Sequence, residues 1–450
     1  MGQPVVQRTR RALLGEGALL LGAALVACVP GQAGPARKEP EGAATINILY
    51  GGGGQEVQDL YDRTAFATFK RRFPGSTINL DSSGNPLSKV LTLHAAGSAP
   101  DIIQGGDTWT IDVARLGLGI PLDPYVKGWD ARADFVKSSW DSGQEAGKQW
   151  GVPLFVTARI VYLRKGVLAE VGVARTPETW EDLVDTARRS TKVDNDRVVR
   201  QGLTPPGGGD AWWWWFWLLQ TTGATLFKDG KAGFTAGEGE TTLQFMKDLQ
   251  SAILPRGAEP LPGDSAANFT SGTIAHAWLH LAPYQNIQRS NPKDYQEMVI
   301  STPQVPGNVA YRLPGGRKVP PLTFVDNALL FISAQSRYPD HAWELTKLLL
   351  EPETLLEFER LRGRLPPRRS IFGQGWMKDE KIQQIARVYE KTGRARFNPP
   401  NFDGVTRIVN EVVWSVVRDQ KVSVRDGVLA MARDLEQLAR EVAYTGTTRW

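Results

Sequence analysis

His276 and His280 stand four residues apart, a spacing that places two imidazoles on one face of a helix and could hold a metal ion. No Glu follows His276 as a zinc-protease motif requires, and no third ligand is visible, so metal chemistry is disfavoured. No Gly-x-Ser-x-Gly elbow occurs, and one cysteine with four histidines leaves few partners for a Cys/His zinc site. Among 48 acidic residues some carboxylate pair could always be drawn for glycoside hydrolysis, so spacing decides nothing there. The plentiful resource is aromatic surface: 15 Trp, 10 Tyr and 16 Phe in 450 residues. Such rings need a core, an interface or flat-faced ligands. A formal charge of +5, from 53 basic and 48 acidic residues, is too slight to mark a polyanion-binding surface, and nucleic acid is excluded as a partner.

Four segments combine hydrogen-bonding or aromatic groups with turn chemistry. Gly51 to Gly54 offers bare backbone N–H groups to a ligand, or is a simple tight turn; it lacks the Lys-Ser/Thr ending of a phosphate loop. Asp81-Ser82-Ser83-Gly84-Asn85 supplies short polar side chains. Gly105-Gly106-Asp107-Thr108-Trp109 sets a carboxylate and an indole on one loop; the alternative is a capped helix start. The string Trp212-Trp213-Trp214-Trp215-Phe216-Trp217 would surround a helix axis, so not every ring can face one core. Two or three belong inside and the N-terminal rings, Trp212 and Trp213, meet ligand; a wholly structural role is the alternative.

The elements that must position these groups alternate. Thr45 to Tyr50 reads as a strand, Leu60 to Phe73 as a helix ended by Pro74-Gly75, Thr77 to Leu80 as a strand, Leu87 to Ala96 as a helix and Asp101 to Ile103 as a strand. This order predicts a parallel sheet covered by helices, with ligand bound beyond the carboxyl ends of the strands, where the first three segments lie. Further on, Ile160 to Leu163 and Ala328 to Ser333 read as strands, and Thr179 to Thr191, Trp212 to Thr222, Thr241 to Leu249 and Pro339 to Leu350 as helices. Pro303 to Pro321 is irregular, and the chain is mainly helical from Lys381 onward.

The N-terminus is a targeting segment. Arg8, Arg10 and Arg11 precede the mainly apolar stretch Ala12 to Ala27, whose one charge is Glu16, the pattern of a signal peptide and too short to span a membrane. Leu25-Val26-Ala27-Cys28 resembles the lipobox of bacterial lipoproteins, which implies cleavage before Cys28 and lipidation of its sulfur; Thr9 to Leu14 also resembles a twin-arginine export motif. Gly31 to Ala44 reads as a flexible tether.

Phe69 to Gly75 and His94 to Ile102, ending Ala-Gly-Ser-Ala-Pro-Asp-Ile, resemble the "F…PG" and "AAG…PD" segments of family 1 extracellular solute-binding proteins. In the same order, Ile120 to Val126, Gly147 to Pro153, Val161 to Lys165, Thr176 to Leu183, Phe269 to Ala275, Ser333 to Ser336 with Ala342 to Glu344, and Leu365 to Arg368 are similar to further segments of that family. The resemblance runs from about residue 45 to beyond 370. Arg164 stands where the family has Asn and His276 where it has an apolar residue; the Gly-x-Trp after Ala275 is missing, leaving Trp278, His280 and Tyr284 as stand-ins for its aromatic.

The resemblance implies an α/β, two-lobed periplasmic-binding-protein type II fold, with mixed sheets flanked by helices and a ligand cleft between lobes that close on the ligand. It implies a signal peptide at 1–27, a lipidated tether at 28–44, lobe 1 at 45–155, lobe 2 at 156–321, a return to lobe 1 at 322–363, and lobe 2 with C-terminal helices at 364–450. Crossings are expected near Val152-Pro153, at Leu322 to Asp326 and at Arg362 to Pro366. A carbohydrate suits such a cleft because its C–H faces lie on Trp or Tyr rings while polar groups satisfy its hydroxyls. The ligand-facing residues expected from the loops are Gly53, Gly54, Asp81, Ser82, Ser83, Asp107 and Trp109. Beside the crossings and in lobe 2 they are Phe155, Arg159, Trp212, Trp213, Trp278, Tyr284, Asn327 and Arg364. The implied function is capture of a carbohydrate, in particular an oligosaccharide, and delivery to the permease of an ABC importer. The protein is expected to be a monomer without cofactor or catalysis, extracytoplasmic and lipid-anchored to the cell membrane. The alternatives are a surface-anchored carbohydrate-active enzyme, or a family member for a polyol or glycerol-phosphate-type solute.

Overall fold

The computed structural model describes residues 39–448 apart from Asn85, Asp210, 302–310, 312 and 314–321. The expected signal peptide, Cys28, most of the tether, Asn85 and most of the 303–321 stretch lie outside the described residues.

The N-terminal β-α-β-α-β order folds as a parallel unit. Thr45–Leu49 pairs with Thr77–Asp81, from Thr45↔Thr77 to Leu49↔Asp81, and with Ile102–Gly106 on its other side. The helical stretch expected as one piece is two, Gly54–Arg63 and Ala65–Arg72. Thr64 breaks it: its hydroxyl bonds back to the Leu60 carbonyl at 2.7 Å, a local alternative that β-branched Thr offers a helix backbone. The third strand runs three residues further than its sequence signal, because Gly105 and Gly106 pair with Leu329 and Ala328 instead of forming a loop. The Trp109 ring folds back over Gly105; a Cβ there would sit 2.2 Å from the ring, so close packing demands glycine.

Two long strands continue the sheet. Thr323–Ile332 lies antiparallel to Ile102–Gly106 on one side and to Gly151–Arg164 on the other. Beyond Gly151–Arg164 come Ile274–Leu279, then Arg197–Leu203 and Lys192–Asp194, making a mixed sheet. Only Ile160 to Leu163 of the 14-residue strand was legible, since Pro153 and Arg159 disguise the rest. Pro153 is tolerated beside a register shift at Ala328/Leu329, where a ladder hydrogen bond is already missing. Leu365 joins the same place, exchanging backbone hydrogen bonds of 2.9 and 3.0 Å with Val156, which also pairs with Asn327.

Helices cover both faces. Trp180–Ser190 begins in a capping box between Thr179 and Asp182. The tryptophan helix Ala211–Thr221 is buried nearly all round, as expected of a helix apolar on every side. Glu238–Ile253, Phe402–Val413 and Val424–Glu441 enclose it, with Phe216, Met246, Val409 and Leu435 sharing one core. A separate core joins the first strand to Pro339–Leu349 and Pro352–Arg362 through Ile46, Phe69, Leu345 and Phe358.

Residues after Leu365 do not all go to the tryptophan side. Arg368 pairs with Asp134, and Tyr389 on the helix Glu380–Thr392 bonds the Ser139 hydroxyl at 2.6 Å, tying this stretch to the 45–155 segment. The helical C-terminal region also hides a strand, Gly393–Ala395, parallel to Thr323–Val325.

Candidate functional site

The paired strands Gly151–Arg164 and Thr323–Ile332 set the floor of the site. Residues directly opposite in an antiparallel pair share a face. Phe324 opposes Arg159, Asp326 opposes Thr157 and Ala328 opposes Phe155, so this face carries Phe155, Thr157 and Arg159 beside Phe324 and Asp326. The opposite face sends Val156, Ala158 and Val325 into the core.

Charges converge on this ribbon. Asp107 is only 2% exposed; its Oδ1 accepts from Arg396 Nε at 2.8 Å, and its Oδ2 accepts from the Asn327 backbone N–H at 2.9 Å and from Asn327 Nδ2 at 3.0 Å. Three donors, one of them a guanidinium, offset the cost of burying that carboxylate. Asp326, next in the strand, is half-buried and its Oδ2 accepts no hydrogen bond. Burial pushes its carboxyl pKa up, against the fields of Arg396, Arg159 and Arg364. Arg364 lies on the far side, its Nη1 donating to His280 Nδ1 at 3.1 Å and its guanidinium 5.9 Å over Phe155. Burial, Arg364 and Arg159 push the His280 pKa down to about 3, so the ring is neutral and Nδ1 is an acceptor at neutral pH.

Aromatic rings wall one end. Arg159 Cζ lies 3.8 Å from the centre of the Trp213 ring and 5.5 Å from that of Trp278. Trp213 stacks on Trp212 at 4.1 Å, and Arg396 reaches both rings at 5.1 and 5.8 Å. Both indoles are half-buried, whereas Trp214, Trp215, Phe216 and Trp217 are in the core. Trp278 is backed by Trp217, stacked at 4.6 Å, and by Trp214. Behind Arg159 a cavity of about 10 Å³ between Trp217, Trp278, Leu322 and Thr323 has room for about one water.

The remaining sequence candidates fall in three places. Gly53 and Gly54 open the helix Gly54–Arg63 at the end of the first strand, both with positive φ; a Cβ at Gly53 would meet Val57 at 2.8 Å. Asp81, Ser82 and Ser83 are exposed, and Asp81 is engaged by the Ser83 hydroxyl at 2.6 Å and Lys89 Nζ at 2.9 Å, which hold its pKa at about 2. Trp109 is half-buried against Leu49, Ile103 and Leu329. Asp107 begins a short turn without capping it, since its oxygens are taken by Arg396 and Asn327. Tyr284 requires correction as a ligand-facing residue: it is 0% exposed, stacked on Tyr162 with the tilted ring of Tyr295 on it as well, and presents no surface. Trp278 is likewise closed off at 2% exposure and supports Arg159 from beneath.

The two histidines do not share a helix. His276 is inside the strand Ile274–Leu279, with Nδ1 accepting from the Arg164 N–H and Nε2 beside Ser190, while His280 heads the next helix. Arg164 itself pairs with Asp294 and donates to the carbonyls of Phe269, Ile274 and Ala275, so both departures from the family pattern serve one buried network. Among the described residues no group of His, Cys, Asp and Glu could hold a metal, and no helix is long and apolar enough to cross a membrane.

Asp326 and Arg396 were missed from sequence. A lone acid inside the apolar run Thr323 to Ile332 was a usable signal for the first. Arg396 follows a three-residue strand that carries none.

Residues 53–355 match the family described as bacterial extracellular solute-binding protein. The chain belongs to that family. A binding protein of Brucella abortus is 22% identical over 303 residues, 66% of this chain and 70% of the relative. The arabinooligosaccharide-binding protein of Halalkalibacterium halodurans is 26% identical over 251 residues, 52% of this chain and 53% of that one. In three dimensions the chain is similar to the sugar-binding protein MalE of Xanthomonas citri, with a TM-score of 0.73 at 21% identity, covering 89% of this chain and 98% of that one. The fold is therefore the two-lobed, mixed α/β fold of solute-binding proteins, and family membership makes the protein an extracellular solute-binding protein.

Proposed function

We propose that the protein captures a carbohydrate, in particular an oligosaccharide, in the cleft between its lobes and hands it unaltered to the permease of an ABC importer. The observation carrying this reading is the ribbon face on which Arg159, laid against Trp213, adjoins Asp326 and Arg364. An indole platform beside charged hydrogen-bonding groups suits a ring with apolar faces and polar edges. The named sugar specificities of the relatives support the same class of ligand.

In this reading the lobes are 45–155 with 322–363 and the stretch from Arg368 to Thr392, and 156–321 with the helices Phe402–Val413 and Val424–Glu441, and the passages through Val156, Asn327 and Leu365 are the hinge. Trp212, Trp213, Arg159, Phe155 and Arg364 line the lobe-2 and hinge side; the loops at Gly53–Gly54, Asp81–Ser83 and Asp107–Trp109 border the lobe-1 side. The mature protein is a monomer tethered through a lipid on Cys28 and performs no catalysis.

A thermal-shift screen of the mature protein against mono-, di- and trisaccharides tests the reading. A true ligand at about 100 times Kd adds about 2.7 kcal/mol of apparent stability and is recovered intact. Release of cleaved product would establish an enzyme instead.

A further inference from the structure

The helices Phe402–Val413 and Val424–Glu441 pack against each other as a hairpin. The first continues through the turn Trp414–Arg418, so its run and the returning helix are near equal in length, about 25 and 27 Å at about 1.5 Å per residue. The start of one helix therefore lies beside the end of the other. That end of the hairpin shows unpaired N–H groups and unpaired carbonyls together, a partial positive charge next to a partial negative one.

Two side chains on the short helix Thr110–Arg115 meet it with matching signs. Asp112 and Arg115 are three residues apart and share a helical face. Asp112 Oδ1 accepts from the backbone N–H of Asn401, the N-cap of Phe402–Val413, at 3.5 Å. Arg115 Nη2 donates to the carbonyl of Val442, the C-cap of Val424–Glu441. Burial opposes the charge of Asp112, which is 8% exposed; the Asn401 N–H and Arg115 favour it, and Asp403 repels it. An acid at a helix start and a base at a helix end are each stabilised by the helix dipole, and exchanged signs would be repelled.

The partners belong to separate cores. On the strand side, the Thr110 hydroxyl donates to the Ser142 carbonyl at 3.0 Å and Val113 packs with Leu49, Ile103 and Leu329. The hairpin is fastened to the tryptophan core through Val405, Val409, Leu435 and Leu438. The bridge also adjoins the site: Thr110 follows Trp109, and Phe402 follows Asn401 with its ring edge-on to Trp212 at 5.1 Å.

Resting on the two-lobe reading above, we propose that Asp112 and Arg115 form a dipole-matched clasp that holds the lobes together at the rim of the cleft without touching the solute, so that the unliganded protein already favours the closed arrangement. A solute that prefers the closed form then has less closing to drive, and the clasp sets its affinity from outside the pocket.

Small-angle X-ray scattering of the unliganded mature protein, with no sugar present, tests the clasp. Arg115→Gln should shift the closed-to-open ratio about twofold to fivefold towards open, the strength of one charge at a helix end, and raise the radius of gyration. Arg115→Glu should open the protein further, because the helix end repels an acid, while Arg115→Lys stays near wild type. Asp112→Asn should act in the same direction as Arg115→Gln. A cooperative melt close to that of wild type in each variant separates opening from unfolding. Equal radii throughout overturn the proposal. An Arg115→Glu protein no more open than Arg115→Gln overturns the dipole matching, and loss of the cooperative melt in Arg115→Gln makes this exposed arginine a folding residue instead of a clasp. The saccharide screen decides the carbohydrate reading separately, whatever the scattering gives.

Discussion

The guanidinium of Arg159 rests on the indole of Trp213, 3.8 Å from the ring centre, where the two long strands run side by side. This contact joins the aromatic string to the charged ribbon, and each partner fixes the other. Trp213→Ala should weaken binding of the best sugar about threefold to thirtyfold, the range of a partly desolvated cation–π contact, with a small change in the unliganded melting temperature. Calorimetric titration beside a melt checks both halves. Loss of folding would place Trp213 among the core rings.

Asp107 and Arg396 form the most buried ion pair at the site, with side chains 3% and 8% exposed. Asp107→Asn should cost about 3–5 kcal/mol in urea unfolding, because it leaves a guanidinium buried without its counter-ion. Pairing it with Arg396→Met should return much of that loss; additive losses would show that the two side chains act separately.

Gly105 offers a test of what Trp109 does. Gly105→Ala places a methyl 2.2 Å from the indole and should cost about 1–3 kcal/mol by displacing the ring. In a Trp109→Leu background the same change should be far milder. If Gly105→Ala instead abolishes sugar binding at unchanged stability, Trp109 is ligand-facing rather than packed.

Acid should destabilise the fold through its buried imidazoles. Burial, then Arg164 and Arg200, push His276 down to about 3, so the folded chain keeps it neutral while the unfolded chain takes up a proton below about pH 6.5. The unfolded state then binds more protons, and stability falls as pH drops from about 6.5 towards 3, by up to about 1.4 kcal/mol per pH unit. Asp326 and Glu359, with raised pKa values, contribute with the opposite sign, so the quantity to measure is the difference between wild type and His276→Asn. Urea midpoints at pH 7, 6 and 5 should converge as pH falls; a constant gap would contradict a neutral buried His276.

The sequence made the layered α/β order and the helix starting at Thr179 readable, because each rests on local periodicity or capping. It concealed what depends on partners far along the chain. Gly105 and Gly106 look like a loop until Leu329 and Ala328 pair with them. Arg396 looks like one more surface arginine in a helical tail until Gly393–Ala395 docks on Thr323–Val325. Tyr284 looks available for a ligand because its two ring neighbours, Tyr162 and Tyr295, come from separate elements.

Asp107 is joined to a residue 289 positions downstream. During synthesis the acid therefore waits until nearly all of the polypeptide has emerged before its counter-ion exists. A truncated or prematurely released chain would hold every strand of the N-terminal unit yet keep an unmatched negative charge at its centre. Assembly of the site thus requires the chain at least as far as Arg396.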